Sequence, residues 1–166
     1  MPVDPNAPAD TTMMRIVHDA LRRDVERARV ALTRGSPPDD RQRMAIAEHL
    51  RWVMAFLHAH HRSEDEGLYP VVRERDAAAA ALLDDMATDH EAVAVAIIEV
   101  EAAAAAYAER DEREPVVAAL EDLTGVLIPH LRREEDEVMP LVSRAITNAE
   151  WSAIEQAQNL DGTSMA

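Results

Sequence analysis

The chain has no cysteine and no lysine, four glycines, and only five aromatic residues: two tryptophans, two tyrosines and one phenylalanine. Each shortage closes off a class of chemistry. Without cysteine there are no disulfides, no thiolate metal sites, no cysteine-ligated iron–sulfur clusters and no thiol nucleophile, so any metal must be held by imidazole and carboxylate. That ligand set suits iron, zinc or manganese. The few glycines build no glycine-rich phosphate loop. All 17 basic residues are arginine, they form no basic stripe, and 32 acidic residues bring the formal net charge to −15. Such a chain repels phosphate backbones, which argues against nucleic acid as a partner. No apolar run approaches the roughly 18 residues of a membrane span, and the opening MPVDPNAPADTT lacks the basic-then-apolar pattern of a secretory signal. The expectation is a soluble cytoplasmic protein.

Alanine, leucine, arginine and glutamate dominate instead, a composition that favours helix. At 166 residues the chain reads as one domain, able to bury about two-thirds of its unfolded surface. Four segments carry core-facing positions that step by three and four. They are Met14, His18, Leu21, Val25, Ala28, Leu32; then Ile46, Leu50, Val53, Leu57, His60, Glu64; then Leu83, Met86, His90, Val93, Ile97, Val100; and last Val116, Leu120, Leu123, Leu127, His130, Glu134. These are the seams of bundle helices, and each holds a histidine. Turn chemistry separates them at residues 34–40 (RGSPPDD), 69–76 (YPVVRERD, with Pro70 as a helix-ending proline) and 109–115 (ERDEREP). Gly35 offers a C-cap and Asp39 an N-cap. Pro129, inside the fourth helix, is expected to kink it or to free a carbonyl one turn back. Thr147 and Glu150 are placed as the capping box of a short fifth helix over 148–157. The predicted fold is all-α: an antiparallel up-down four-helix bundle over 11–146, after a disordered segment 1–10 and before a short C-terminal helix and tail over 147–166.

Two stretches repeat one skeleton. HHRSEDEGLYP at 60–70 and HLRREEDEVMP at 130–140 align on Pro70 and Pro140, setting His60 on His130 and Glu64 on Glu134. Short connections make neighbouring helices antiparallel. The midpoints between His18 and the 60/64 pair, between that pair and His90, and between His90 and the 130/134 pair fall at about 40, 76 and 111, where the turns are. Six polar side chains, His18, His60, Glu64, His90, His130 and Glu134, therefore arrive at one level of the core. Two buried glutamates without partners would each cost several kcal/mol. Two divalent or trivalent metal ions bridged by Glu64 and Glu134 satisfy every group at once, with His18 and His60 on one ion and His90 and His130 on the other. At least one coordination position stays open for a small ligand. A hydrogen-bonded polar layer without metal is the plain alternative, and six groups in register weigh against it.

The remaining candidates divide by angle. His61, about 100° around the helix from His60, has two roles of equal standing: a further ligand, or a hydrogen-bond partner of a ligating glutamate. His49 lies about 16 Å along the helix from His60, and His58 points away toward solvent or a neighbouring helix. Tyr69 and Tyr107 read as packing residues, Met14 and Met86 as core filler, and Asp65, Glu66, Glu135, Asp136 and Glu137 as a mostly solvated face. No glutamate stands three residues before a histidine, so the EXXH pattern of ferritin-like carboxylate proteins is missing. HEAVA at 90–94 lacks the second histidine of a zincin.

His18, HHRSEDEGLYP, DHEAV at 89–93 and HLRREEDEVMP together resemble the hemerythrin-like, HHE cation-binding domain over roughly residues 14 to 144. The resemblance implies an antiparallel four-helix bundle around a non-haem centre of two iron ions, oxo- or hydroxo-bridged, with His18, His60, Glu64, His90, His130 and Glu134 as ligands. Members bind oxygen, sense iron or redox state, or handle peroxide or nitric oxide. The implied role is binding of O2, NO or H2O2 in sensing or in oxidative or nitrosative stress; the alternative is a diiron catalase- or peroxidase-like enzyme. Oxygen-carrying members have a second histidine four residues after the first in the third helix, where this chain has Ala94. His61 stands ready to replace it, as in hemerythrin-like domains that place a ligand beside the second-helix histidine.

Overall fold

A computed structural model describes residues 4–162. Among these residues seven α-helices follow one another: α1 (Thr12–Thr33), α2 (Asp40–Ser63), α3 (Tyr69–Arg75), α4 (Ala80–Arg110), α5 (Arg113–Arg133), α6 (Met139–Ala145) and α7 (Asn148–Gly162), with a 3-10 turn at Ala77–Ala79 leading into α4. A π turn, Glu64–Leu68, joins α2 to α3, and a second, Glu134–Val138, joins α5 to α6. Among the described residues there is no strand, only an isolated antiparallel bridge between Pro8 and Thr147. α1 packs on α2 and α5, and α4 packs on the same two helices, so the four long elements close into a helical bundle. No helix of the described residues is long and apolar enough to cross a membrane.

Local chemistry sets the ends. Asp39 caps α2 through a capping box, accepting from the Gln42 amide at 2.8 Å while the Gln42 side chain accepts from the Asp39 amide at 3.0 Å. Just before it, Gly35 takes the left-handed φ of +81° that ends a helix cheaply only at glycine. Between α4 and α5, Asp111 adopts a left-handed φ of 54°, a conformation aspartate tolerates better than most residues. Thr147 and Glu150 form the expected box at the start of α7, which runs past the expected 157 to Gly162. Residues 163–166 of the expected tail lie outside the described residues.

Leucine, valine and alanine fill two apolar clusters. One, from Leu21 and Leu57 to Val93, Leu123 and Leu131, occupies the end of the bundle where α4 passes into α5. The other gathers Met14, Leu68, Val72, Leu83, Met86, Val138, Val142 and Trp151 at the opposite end. Each fully buried aliphatic side chain contributes roughly 1.5–3 kcal/mol. Every long helix passes from one cluster to the other through a polar residue: His18 between Met14 and Leu21, His90 between Met86 and Val93, Glu64 between Leu57 and Leu68, Glu134 between Leu131 and Val138. The polar layer divides the core in two.

Two expectations are corrected. Pro70 does not end its helix. In the π turn the Tyr69 amide donates five residues back, to the Glu64 carbonyl, and helix resumes through Arg75; Met139 and Glu134 repeat this before Pro140. The wider turn makes room for a proline ring that would strike the carbonyl four residues back in an α-helix. Pro129 takes the second of its two expected courses: α5 is unbroken, and the carbonyl left without a donor one turn back is that of Gly125. Residues 1–3 of the segment read as disordered lie outside the described residues, and from residue 4 it is instead tied down: Ala9 donates to the Ile146 carbonyl at 3.0 Å, and Asn148 and Ala149 donate to Ala7 and Pro5. Its anchors lie some 140 residues away, beyond the reach of local composition.

Candidate metal centre

His18 comes from the first half of α1 and His90 from the first half of α4; His60 and His61 lie at the end of α2 and His130 at the end of α5. Glu64 and Glu134 open the two π turns. A π turn adds one residue to the helix, so Leu68 and Tyr69 are both buried though adjacent, as are Val138 and Met139. The extra residue lets each glutamate face the layer while the helix beyond keeps its own apolar face inward.

All the residues expected at the layer are there. His18, His61, Glu64, His90, His130 and Glu134 are buried, and His60 is 9% exposed at its side chain. The Glu64 oxygens are divided, Oε1 standing 3.2 Å from His60 Nε2 and Oε2 3.5 Å from His90 Nε2. Glu134 Oε2 lies 3.3 Å from His18 Nε2 and 3.9 Å from His130 Nε2. His18 Nε2 and His60 Nε2 approach to 3.3 Å. The rings of His61 and His90 stack at 4.2 Å, with His130 edge-on to both. The donor atoms fall into two sets, each compact enough for one ion: His61, His90 and His130 in one, and His18, His60, Glu64 and Glu134 in the other. The geometry therefore brings His61 to the layer beside His90.

Outside the layer, carboxylates fix the rings. Asp65 accepts from His90 Nδ1 and Glu135 from His18 Nδ1, both at 2.9 Å, and Arg22 pairs with Glu135 at 2.8 Å. A proton held on Nδ1 leaves the Nε2 lone pair directed inward. Each of these acids follows a π-turn glutamate and reaches across to a histidine of the neighbouring long helix. Asp89 stands 3.7 Å from His130 Nδ1. Two of the acids read as a solvated face thus support the site, and Tyr69, read as packing, donates to Glu134 Oε1 at 2.8 Å. The adjacent apolar pairs Leu68–Tyr69 and Val138–Met139 were the signal that would have placed them, because two successive inward residues require a register shift. His58 is exposed, and His49 is an exposed residue stacked on Trp52, well removed from the layer.

Burial sets the charge states. It pushes the imidazoles of His60 and His130 down to about 4 against the partial opposition of Glu134, and pushes His61 lower still. Glu64 is raised by burial and by the facing Glu134 carboxylate. Burial also works to raise Glu134, but the His18 imidazole and its neighbours outweigh it and hold that carboxyl down at about 2. Neutral imidazole is the form that ligates metal. The fit to a metal is tested by the buried atoms left without a hydrogen bond. Among the described residues His61 Nε2, both Glu64 oxygens, His90 Nε2, His130 Nε2 and Glu134 Oε2 are orphaned within this layer, while His130 Nδ1 on the Asp89 side and, elsewhere, Arg43 Nε and the Tyr107 hydroxyl are orphaned too. Orphaned buried polar atoms cost about 1–3 kcal/mol each, and a cation between them removes that cost. The residues present fit a metal centre of nitrogen and oxygen ligands.

A cavity of about 110 Å³ reaches the layer from one side, between α1, the first π turn and α7. Its floor is His60 and Glu64, and Met13, Val17, Trp151 and Ile154 give it largely apolar walls.

The family model of the Hemerythrin HHE cation binding domain matches residues 4–142. No curated protein and no solved structure matches the chain.

Proposed function

The chain belongs to the hemerythrin HHE cation-binding family, and from that premise we propose that it is a cytoplasmic non-haem diiron protein. Its four long helices form an antiparallel up-down bundle, and it binds O2, NO or H2O2 in sensing or in defence against oxidative or nitrosative stress. The observation that carries this reading is the single buried layer in which orphaned side-chain atoms of His61, Glu64, His90, His130 and Glu134 come together. On this reading His61, His90 and His130 would hold one ion and His18 and His60 the other, with Glu64 and Glu134 supplying carboxylate oxygens. Iron there supplies open coordination and one-electron redox chemistry to a small ligand.

The rest is the work of the chain. Asp65 and Glu135 keep the Nδ1 protons of His90 and His18, which orients both rings. Tyr69 occupies one oxygen of Glu134 and leaves the other free toward the layer. The cavity over His60 and Glu64 is large enough for diatomic or peroxide-sized molecules, and its apolar walls disfavour ions.

Expression in iron-rich medium is expected to give two irons per chain and a ligand-to-metal charge-transfer absorption band. Zinc alone at full occupancy after such growth would overturn the assignment. Turnover of peroxide is the second reading, favoured by a phenol hydrogen-bonded inside the layer. Sustained oxygen evolution from added peroxide, abolished in Glu64→Ala, identifies turnover, whereas stoichiometric bleaching identifies binding.

A further inference from the structure

Tyr107 belongs to an apolar cluster of the core, and the chain's other four aromatic residues either flank the polar layer or are linked to it by ring stacking. Tyr69 and Trp151 are buried there. The other two form a line along α2. Trp52 stacks on Phe56 with ring centroids 5.7 Å apart and planes 15° apart, and Phe56 stacks on His60 at 6.3 Å and 5°. His60 in turn meets His18 at 5.4 Å and His61 at 5.6 Å. The result is an unbroken series of π systems, four residues per step, from the layer to an indole that is 60% exposed.

Helix stability does not account for this line. Side-chain pairs four residues apart give only about 0.2–0.5 kcal/mol, and any apolar pair supplies that. Core burial does not account for it either, since Phe56 is 39% exposed and Trp52 more so. What is particular is the gradation: an oxidisable indole in water, a phenyl spacer, and an imidazole of the candidate centre, spanning about 12 Å of helix rise.

We propose that Trp52 is the outer terminus of an electron relay serving the layer, with Phe56 as bridge and His60 as inner contact. The inference rests on the redox-metal reading above. When hydrogen peroxide is reduced to water at the layer, one of the two electrons it takes up comes from the Trp52 indole, the metal centre supplying the other, and the indole Nε1 proton passes to water. The neutral indolyl radical then takes one electron and one proton from a soluble donor of the ascorbate or thiol class, which is oxidised by one electron. Phe56 is not itself oxidised; its ring fills the gap across which the electron passes. Tyr69 and Trp151 lie nearer the layer but are buried, beyond the reach of a soluble reductant. Trp52 is open to one.

The test uses the iron-loaded full chain treated with hydrogen peroxide, with rapid-freeze electron paramagnetic resonance for the organic radical and peptide mass mapping for oxidised side chains. Iron content and the absorption band are recorded on the same samples. The expected result is a radical and an oxidised peptide at Trp52. Both should be lost in Trp52→Phe, which keeps the stack but not the redox chemistry, and the radical should return in Trp52→Tyr. Exposure of Trp52 keeps folding out of the comparison, and equal melting temperatures verify it. A signal that persists in Trp52→Phe at full iron content, or that maps to Tyr69 or Trp151, overturns the relay and leaves the metal reading intact. A wild-type chain that holds no redox-active metal overturns both.

Discussion

Tyr69 shows how much one hydroxyl controls. Its proton is the hydrogen bond that satisfies Glu134 Oε1 in a place without water. Tyr69→Phe is expected to cost about 1–3 kcal/mol in the metal-free chain, because the carboxylate oxygen stays buried when its donor leaves. Urea unfolding with an unchanged slope measures this; a change under about 0.5 kcal/mol would mean that Glu134 finds another donor. The histidines make a second prediction. His60 and His130 sit at about 4 in the folded metal-free chain and near 6.5 when unfolded. Between those values the unfolded chain binds more protons, so acid favours unfolding. The stability tied to their neutral forms is complete above pH 6.5 and is lost as pH falls toward 4, by a few kcal/mol at most. Glu64, raised above its ordinary 4.5, acts in the opposite sense over the same range, but one carboxyl opposes at least two imidazoles. Melts of the metal-free chain should therefore fall steadily from pH 6.5 to 4, more steeply in Glu64→Gln. A flat profile would show that the imidazoles are already charged in the fold.

The π turns are elements in their own right. A π turn is rare and less favourable than α-helix, and it commonly marks a functional position. Deleting Glu66, an exposed residue of the first turn, should return residues 64–68 to α-helix without disturbing the register of α2 or α3. The deleted chain is expected to melt no lower than the parent when both are metal-free, yet to lose metal stoichiometry, since Glu64 and Asp65 turn away from His60 and His90. Metal retention at the parental level would show that the turn is incidental. The same turns mark the limit of legibility. The three-and-four spacing led to α1, α2, α4 and α5 and to the level of His18, His60, Glu64, His90, His130 and Glu134, because a helix seam is a local property. Asp65, Glu135 and Tyr69 were misplaced because their direction depends on one inserted residue. Pro70 alone reports a missing donor, not what the backbone does next. Residues 4–10 were misread for a different reason: the partners that order them lie at 146–149.

Across the whole molecule, the polar layer is a seam of weakness as much as a site. The two apolar clusters flanking it are each continuous and well buried, while the layer between them holds most of the orphaned atoms and the two π turns. Without metal, opening should therefore begin at the layer rather than at either end, because those hydrogen bonds and contacts are the ones whose loss costs least. A ligand that binds only the folded chain adds RT ln(1 + [L]/Kd), about 2.7 kcal/mol at a hundredfold excess over Kd. Much of that gain should appear locally. Hydrogen exchange is expected to be fastest in residues 60–68 and 130–138 of the metal-free chain, ahead of the buried parts of α4 and α5, and to slow there most when metal is supplied. Chelation should restore the fast exchange together with the lower melting temperature. If exchange instead slows uniformly, the bundle opens as one unit and the layer is held by its own hydrogen bonds. If it slows only in α7, the metal sits in the cavity beside Trp151 rather than between the helices.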